Sequence, residues 1–213
     1  VSAAILSVIT NPRAFYEKKA GDPENLMIPV LIVLIQGIFG SISGYVVGNL
    51  TARIYPEIQG YSAVLGIFSI IGAIIGAFIF WVVITAIFYL ISMAFKGEGN
   101  FRRTLEFVGF GSIPLAIGAL ISGILILIYA PGITVPVVTD PMELAPAITA
   151  LMHQPVFLLS SLIGIIVMAW SANIWIFAMR VARNLPSRDA AITVVVPVAL
   201  FILYEVINLG LLS

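Results

Sequence analysis

Five long apolar stretches constrain this chain more than any motif in it: about Leu26–Val47, Val64–Phe95, Phe107–Tyr129, Val156–Met179 and Ala190–Leu212. An α-helix needs about 20 mostly apolar residues to cross roughly 30 Å of hydrocarbon, and each stretch supplies them. Lipid offers no partner to backbone N–H and C=O groups, so these stretches must close their hydrogen bonds internally; the alternation of a barrel strand is absent. The expectation is an all-α polytopic membrane protein, a five-transmembrane-helix bundle. Residues 1–25 make a cytoplasmic interfacial N-terminal segment and residues 26–213 a single transmembrane domain.

Composition removes the competing classes. Of 213 residues, 61% are hydrophobic and only 9% charged, too few to cover a soluble surface, so the lipid bilayer is the first partner. The absence of cysteine excludes disulfides, thiolate nucleophiles and cysteine metal sites, and a single His removes most metal and triad chemistry, so no metal or other cofactor is expected. A formal net charge of zero with no basic stripe gives nucleic-acid binding no support. The GFGS run at Gly109–Ser112 is not in GxSG order, and HExxH, phosphate-loop and paired intramembrane Asp motifs are missing, so the chain reads as a non-enzyme.

The basic residues set the orientation. Arg13, Lys18 and Lys19 precede the first span, Lys96, Arg102 and Arg103 separate the second from the third, and Arg180, Arg183 and Arg188 separate the fourth from the fifth. These segments alternate onto one side, and only Arg53 falls on the other; the positive-inside rule then puts the N-terminus in the cytoplasm and the C-terminus outside a cell membrane. The second stretch is long for one crossing, but splitting it would invert that pattern. It reads as one tilted helix with an interfacial extension at Tyr61–Phe68.

The N-terminal stretch lacks a signal-peptide pattern. Ala4, Ile5, Val8 and Ile9 make one apolar side of a short helix, and NPRAFYEKK, with Phe15 and Tyr16 beside Lys18 and Lys19, suits the headgroup layer. In KGEGNFRRTLEF, Arg102 and Glu106 stand i to i+4 and are expected to pair. Pro114 is placed to kink the third span, and Ser187 or Asp189 to cap the fifth. The proline-rich outer connection leaves room for a short surface helix at PMELAPAITALM, next to a solvated His153.

Helices in lipid associate through small residues. Gly40, Gly44 and Gly48 at four-residue spacing, with Gly72 and Gly76 on the second span, form such stripes; they serve packing within the bundle or a homodimer interface. Glu205 is the most expensive residue in any span, since an intramembrane carboxylate costs several kcal/mol on insertion scales. Counting 1.5 Å per residue puts it about 22 Å above the inner end of its helix, near Ser122 at about 24 Å and the Trp81 indole at about 21 Å, with Asn208 on the same face. The site is either a structural tie between helices or a polar point for ion passage.

NPRAFYEKK before the first span, FKGEGNFRRTLEFVGFGSIP between the second and third, and five spans with an inner N-terminus together resemble the Yip-domain family. Its eukaryotic members interact with Rab-type GTPases in vesicle trafficking and carry a DPYGP-like motif. Of that motif only Asp22-Pro23 is present, so the likeness is to the compact prokaryotic branch. The resemblance implies a membrane organiser or trafficking-type adaptor, with Lys96, Arg102, Arg103, Arg180, Arg183 and Arg188 meeting anionic lipid or an acidic protein partner at the cytoplasmic face. The alternative is a small-solute or ion transporter or channel component built on Glu205.

Overall fold

The structure, a computed structural model, describes residues 2–209, with side chains from residue 6 onward. The contributions of Ala4 and Ile5 to the N-terminal face and the end of the fifth stretch at Leu212 lie outside the described residues. Two short helices, α1 (Ser2–Thr10) and α2 (Pro12–Lys19), precede α3 (Met27–Ile54). A 3-10 turn at Pro56–Tyr61 leads into α4 (Ser62–Ala94), followed by α5 (Phe101–Phe110), α6 (Ile113–Tyr129), α7 (Pro141–Met152), α8 (Pro155–Ala182) and α9 (Ser187–Asn208). No strand occurs among the described residues, and five helices, α3, α4, α6, α8 and α9, are long and apolar enough to cross a membrane.

The second apolar stretch is one unbroken helix of 33 residues. Its outward side, with Phe68, Ile75 and Ile79, is exposed, an apolar surface suited to contact with lipid. The third stretch differs from the expected continuous helix. The chain turns at Gly111–Ser112, so α5 is a separate, largely buried helix, and Pro114 sits in the first turn of α6, where its missing N–H has no partner to lose. The surface helix at PMELAPAITALM is α7, capped by Asp140 Oδ1 accepting from Met142 N at 2.8 Å and holding Ala147 and Leu151 in the core. Neither Ser187 nor Asp189 caps α9; Pro186 precedes it, and Asp189 lies in its first turn, where the helix dipole favours an acid.

Val8 and Tyr16 are fully buried against Phe107 and Phe110 of α5 and Ile174 and Ala178 of α8, so α1 and α2 pack onto the body of the bundle. A central core joins Trp81 and Phe88 of α4 to Trp175 and Met179 of α8 and Val194 of α9. A third cluster closes the opposite end, where α7 covers Val46, Leu50 and Ile54 of α3 and Ile126 of α6.

The glycine seam is real but is not the expected one. Gly44 and Gly48 face Ser69 of α4, while a methyl on Gly40, Gly72 or Gly76 would meet nothing within 4 Å. The third member is Gly37, whose added Cβ would stand 2.8 Å from Ile74 Cα. At about 100° per residue, Gly37 falls between Gly44 and Gly48 in rotation, and Gly40 falls about 60° to its side. Four-residue spacing drifts around the helix; the seam follows the 3.6-residue period.

Candidate functional site

Nine of the ten basic residues and six acidic ones, Glu17, Asp22, Glu24, Glu98, Glu106 and Asp189, collect at the end of the bundle that holds α1, α2 and the 95–100 and 183–186 connections. Much of this charge is internal. Glu106 of α5 is fully buried, and Arg103 Nη1 donates to its Oε2 at 2.9 Å while Lys19 Nζ stands 3.4 Å from Oε1. Arg103 Nη2 also donates to the Asp22 carbonyl at 2.7 Å, and its guanidinium lies 5.4 Å from the Phe107 ring centre. Three residues, not four, separate the pair that forms. Arg102 turns outward toward Glu24 at 3.8 Å, correcting the expected Arg102–Glu106 pair. Helical rotation explains it, since α5 presents Thr104 and Glu106–Phe110 to the core and position 102 to solvent.

Arg183 is the second internal cation. It is 2% exposed, donates from Nε to Ser92 Oγ at 2.9 Å, from Nη2 to the Gly97 carbonyl at 2.6 Å and from Nη1 to the Gly99 carbonyl, and stacks over Tyr89 at 4.2 Å. The 95–100 loop needs this clamp because its carbonyls turn inward. Gly99 has φ +93°, and a Cβ there would stand 2.6 Å from the Ala182 carbonyl oxygen. Arg103 and Arg183 are therefore held by contacts within the chain, and Arg183 has almost no exposed surface.

Lys96, Arg102 and Arg188 are exposed. Arg180 is half-buried beside a polar cavity of about 300 Å3 that Arg13, Glu17 and Asn184 also line; its Nε is buried and bonds to nothing among the described residues.

The GFGS run has a packing function. Trp175 Nε1 donates to the Val108 carbonyl at 2.8 Å and Trp81 Nε1 to the Leu105 carbonyl at 3.0 Å, so two indoles grip α5 from opposite elements. Gly109 makes room for Pro29 and Trp81, and a methyl at Gly111 would overlap the Trp175 indole. Trp81 is thus committed to α5 and is not the partner of Glu205 that residue counting suggested; the count assumed straight helices side by side and contained no α5. Tyr16 completes the grip, its hydroxyl donating to the Phe107 carbonyl at 3.0 Å, and burial holds its phenol well above the ordinary range.

Glu205, Ser122 and Asn208 lie toward the other end. All three line a cavity of about 440 Å3 bounded by α3, α6, α8, α9 and the turn after α7. Glu205 and Ser122, with Ser161, also line an adjoining space of about 290 Å3 that reaches Gln36 near the middle of α3. No Lys or Arg lines either one, and among the described residues no hydrogen bond or ion pair reaches the Glu205 carboxylate. His153 is exposed and also lines the larger cavity, with Nδ1 2.8 Å from the Thr149 carbonyl oxygen. Sequence distance hides this neighbour; only the path of α7 brings it there. Among the described residues no group of three or more His, Cys, Asp or Glu could hold a metal ion.

A family model described as the Yip1 domain matches residues 6–207. An uncharacterized protein of the archaeon Methanocaldococcus jannaschii is 39% identical over 119 residues, covering 55% of this chain and 84% of that relative. No solved structure matches.

Proposed function

The chain belongs to the Yip1 domain family, and from that premise we propose that it is a non-enzymatic, multi-pass membrane organiser that engages anionic surfaces through its basic end. One observation carries the reading: after internal pairing, Lys96, Arg102 and Arg188 still project outward from a braced platform, and Arg180 keeps an unbonded Nε beside a polar cavity. Basic side chains near a bilayer surface each attract anionic headgroups or acidic segments by about 1 kcal/mol, so this group sums to useful binding without deep pockets. The positive-inside rule supports reading that platform as the cytoplasmic face of a cell membrane.

Cross-linking in native membranes tests it with a variant the structure makes safe. Lys96→Glu, Arg102→Glu and Arg188→Glu together reverse the surface charges and leave Arg103 and Arg183 in their buried roles. The chain has no cysteine, so one introduced cysteine reports whether topology is kept. Loss of partners with topology intact is expected; recovery of the same partners would end the proposal.

A second reading, passage of a small solute or ion, is supported by the unpaired Glu205 in its cavity. Flux in reconstituted vesicles that falls in Glu205→Gln is its expected signature, and no flux in the wild type under any ion gradient would remove it.

A further inference from the structure

The cavity around Glu205 has chemistry of its own. The carboxylate is its one formal charge when His153 is neutral, and no protein cation lies with it. An unpaired carboxylate in a span is costly, so a favourable occupant brings positive charge. A bare metal ion is a poor match: the site offers one carboxylate, and a space of about 440 Å3 exceeds what one ion fills. An anion is excluded by sign. The lining combines polar Ser43, Ser122 and Asn208 with apolar Ile126, Phe157 and Leu158. A concave space of this size, mostly apolar with a few converging polar groups, matches small-molecule sites in general.

We propose that this cavity binds a small organic ammonium ion, its cationic head on Glu205 with Ser122 and Asn208, and its apolar body against Phe157 and Ile126. The head would donate N–H bonds to the carboxylate and hydroxyl oxygens, and these charge-assisted bonds would offset the desolvation of Glu205. His153 stands on the wall nearest the α7 end, so the ligand would enter from the end opposite the basic platform. The adjoining space past Ser161 toward Gln36 gives the apolar body room to extend. The proposal shares its site with the transport reading but requires binding only.

The experiment uses the full chain in nanodiscs of zwitterionic lipid, with phenethylammonium as the probe and 2-phenylethanol as its neutral counterpart. Empty nanodiscs give the partitioning background, and saturation-transfer NMR or calorimetry reads occupancy. Saturable binding of the ammonium is expected, weakened tenfold or more by Glu205→Gln and by at least severalfold in Ser122→Ala, with no saturable binding of the alcohol. Equal binding of the two probes to the wild type, or ammonium binding unchanged in a folded Glu205→Gln, would overturn it. The alcohol comparison needs no variant and stands even if a substitution disturbs folding. Saturable ammonium binding without flux in vesicles would keep this proposal and end the transport reading.

Discussion

The two ends of the bundle handle polarity in opposite ways. At the basic end, buried Glu106, Arg183 and Tyr16 each have partners within the chain, at separations in sequence from 3 to 91 residues. Toward the other end, Glu205 has a cavity in place of a partner. The contrast teaches how to weigh a polar residue in a membrane protein. One whose donors and acceptors are satisfied within the chain reports on assembly, because losing its partner leaves an expensive orphan. One left open reports on what the chain meets.

Glu106→Ala should produce the largest effect. It strips the carboxylate from the buried side of Arg103 and Lys19, and removing one member of a buried charge pair costs roughly 3–5 kcal/mol. Unfolding in mixed micelles measures this against Asn208→Ala, which should stay within about 0.5 kcal/mol of wild type. Equal losses would erase the distinction between the ends.

Gly111→Ala comes next. Overpacking against the Trp175 indole should cost about 1–3 kcal/mol and shift tryptophan emission as the Val108 bond is disturbed. The same substitution at Gly72, whose new methyl would meet nothing, should change stability by less than about 1 kcal/mol and favour the helix if anything.

Tyr16→Phe should cost less than either Glu106→Ala or a full overpacking at Gly111, about 1 kcal/mol at neutral pH for one buried hydrogen bond. Its pH dependence sharpens the point. Burial raises the phenol pKa above its ordinary value of 10.0, so the stability it confers is whole below that value and declines as pH rises from there through the folded-state pKa. Unfolding midpoints taken across that alkaline range should fall more steeply for the wild type than for Tyr16→Phe. Parallel curves would mean that α2 does not hold the phenol in the core.

Much of the architecture is legible from the chain. The long second stretch forms one helix, PMELAPAITALM folds as a surface helix, and the Yip-type segments belong to a true family match across residues 6–207. The Arg102–Glu106 pair, the Gly40 position in the seam and the Trp81–Glu205 neighbourhood each depend on how a helix is rotated toward its neighbours, which spacing within one helix and depth along it do not fix. The split at Gly111–Ser112 escaped because an apolar run looks alike whether it crosses lipid or turns back into protein. Tyr16 and Trp175 were hidden for a related reason: aromatic side chains suit a headgroup belt and a core equally well.

The sequence by itself determined that the chain lives in lipid, how many helices can cross it and which segments gather the basic charge. Those properties are sums over local stretches, and hydrophobicity and charge add without regard to neighbours. Tertiary structure alone decided which cations are buried braces and which are exposed, which glycines touch another helix, and that His153 and Glu205 line one cavity. These depend on rotation and contact between segments far apart in the chain, where a shift of one residue turns a side chain by about 100°.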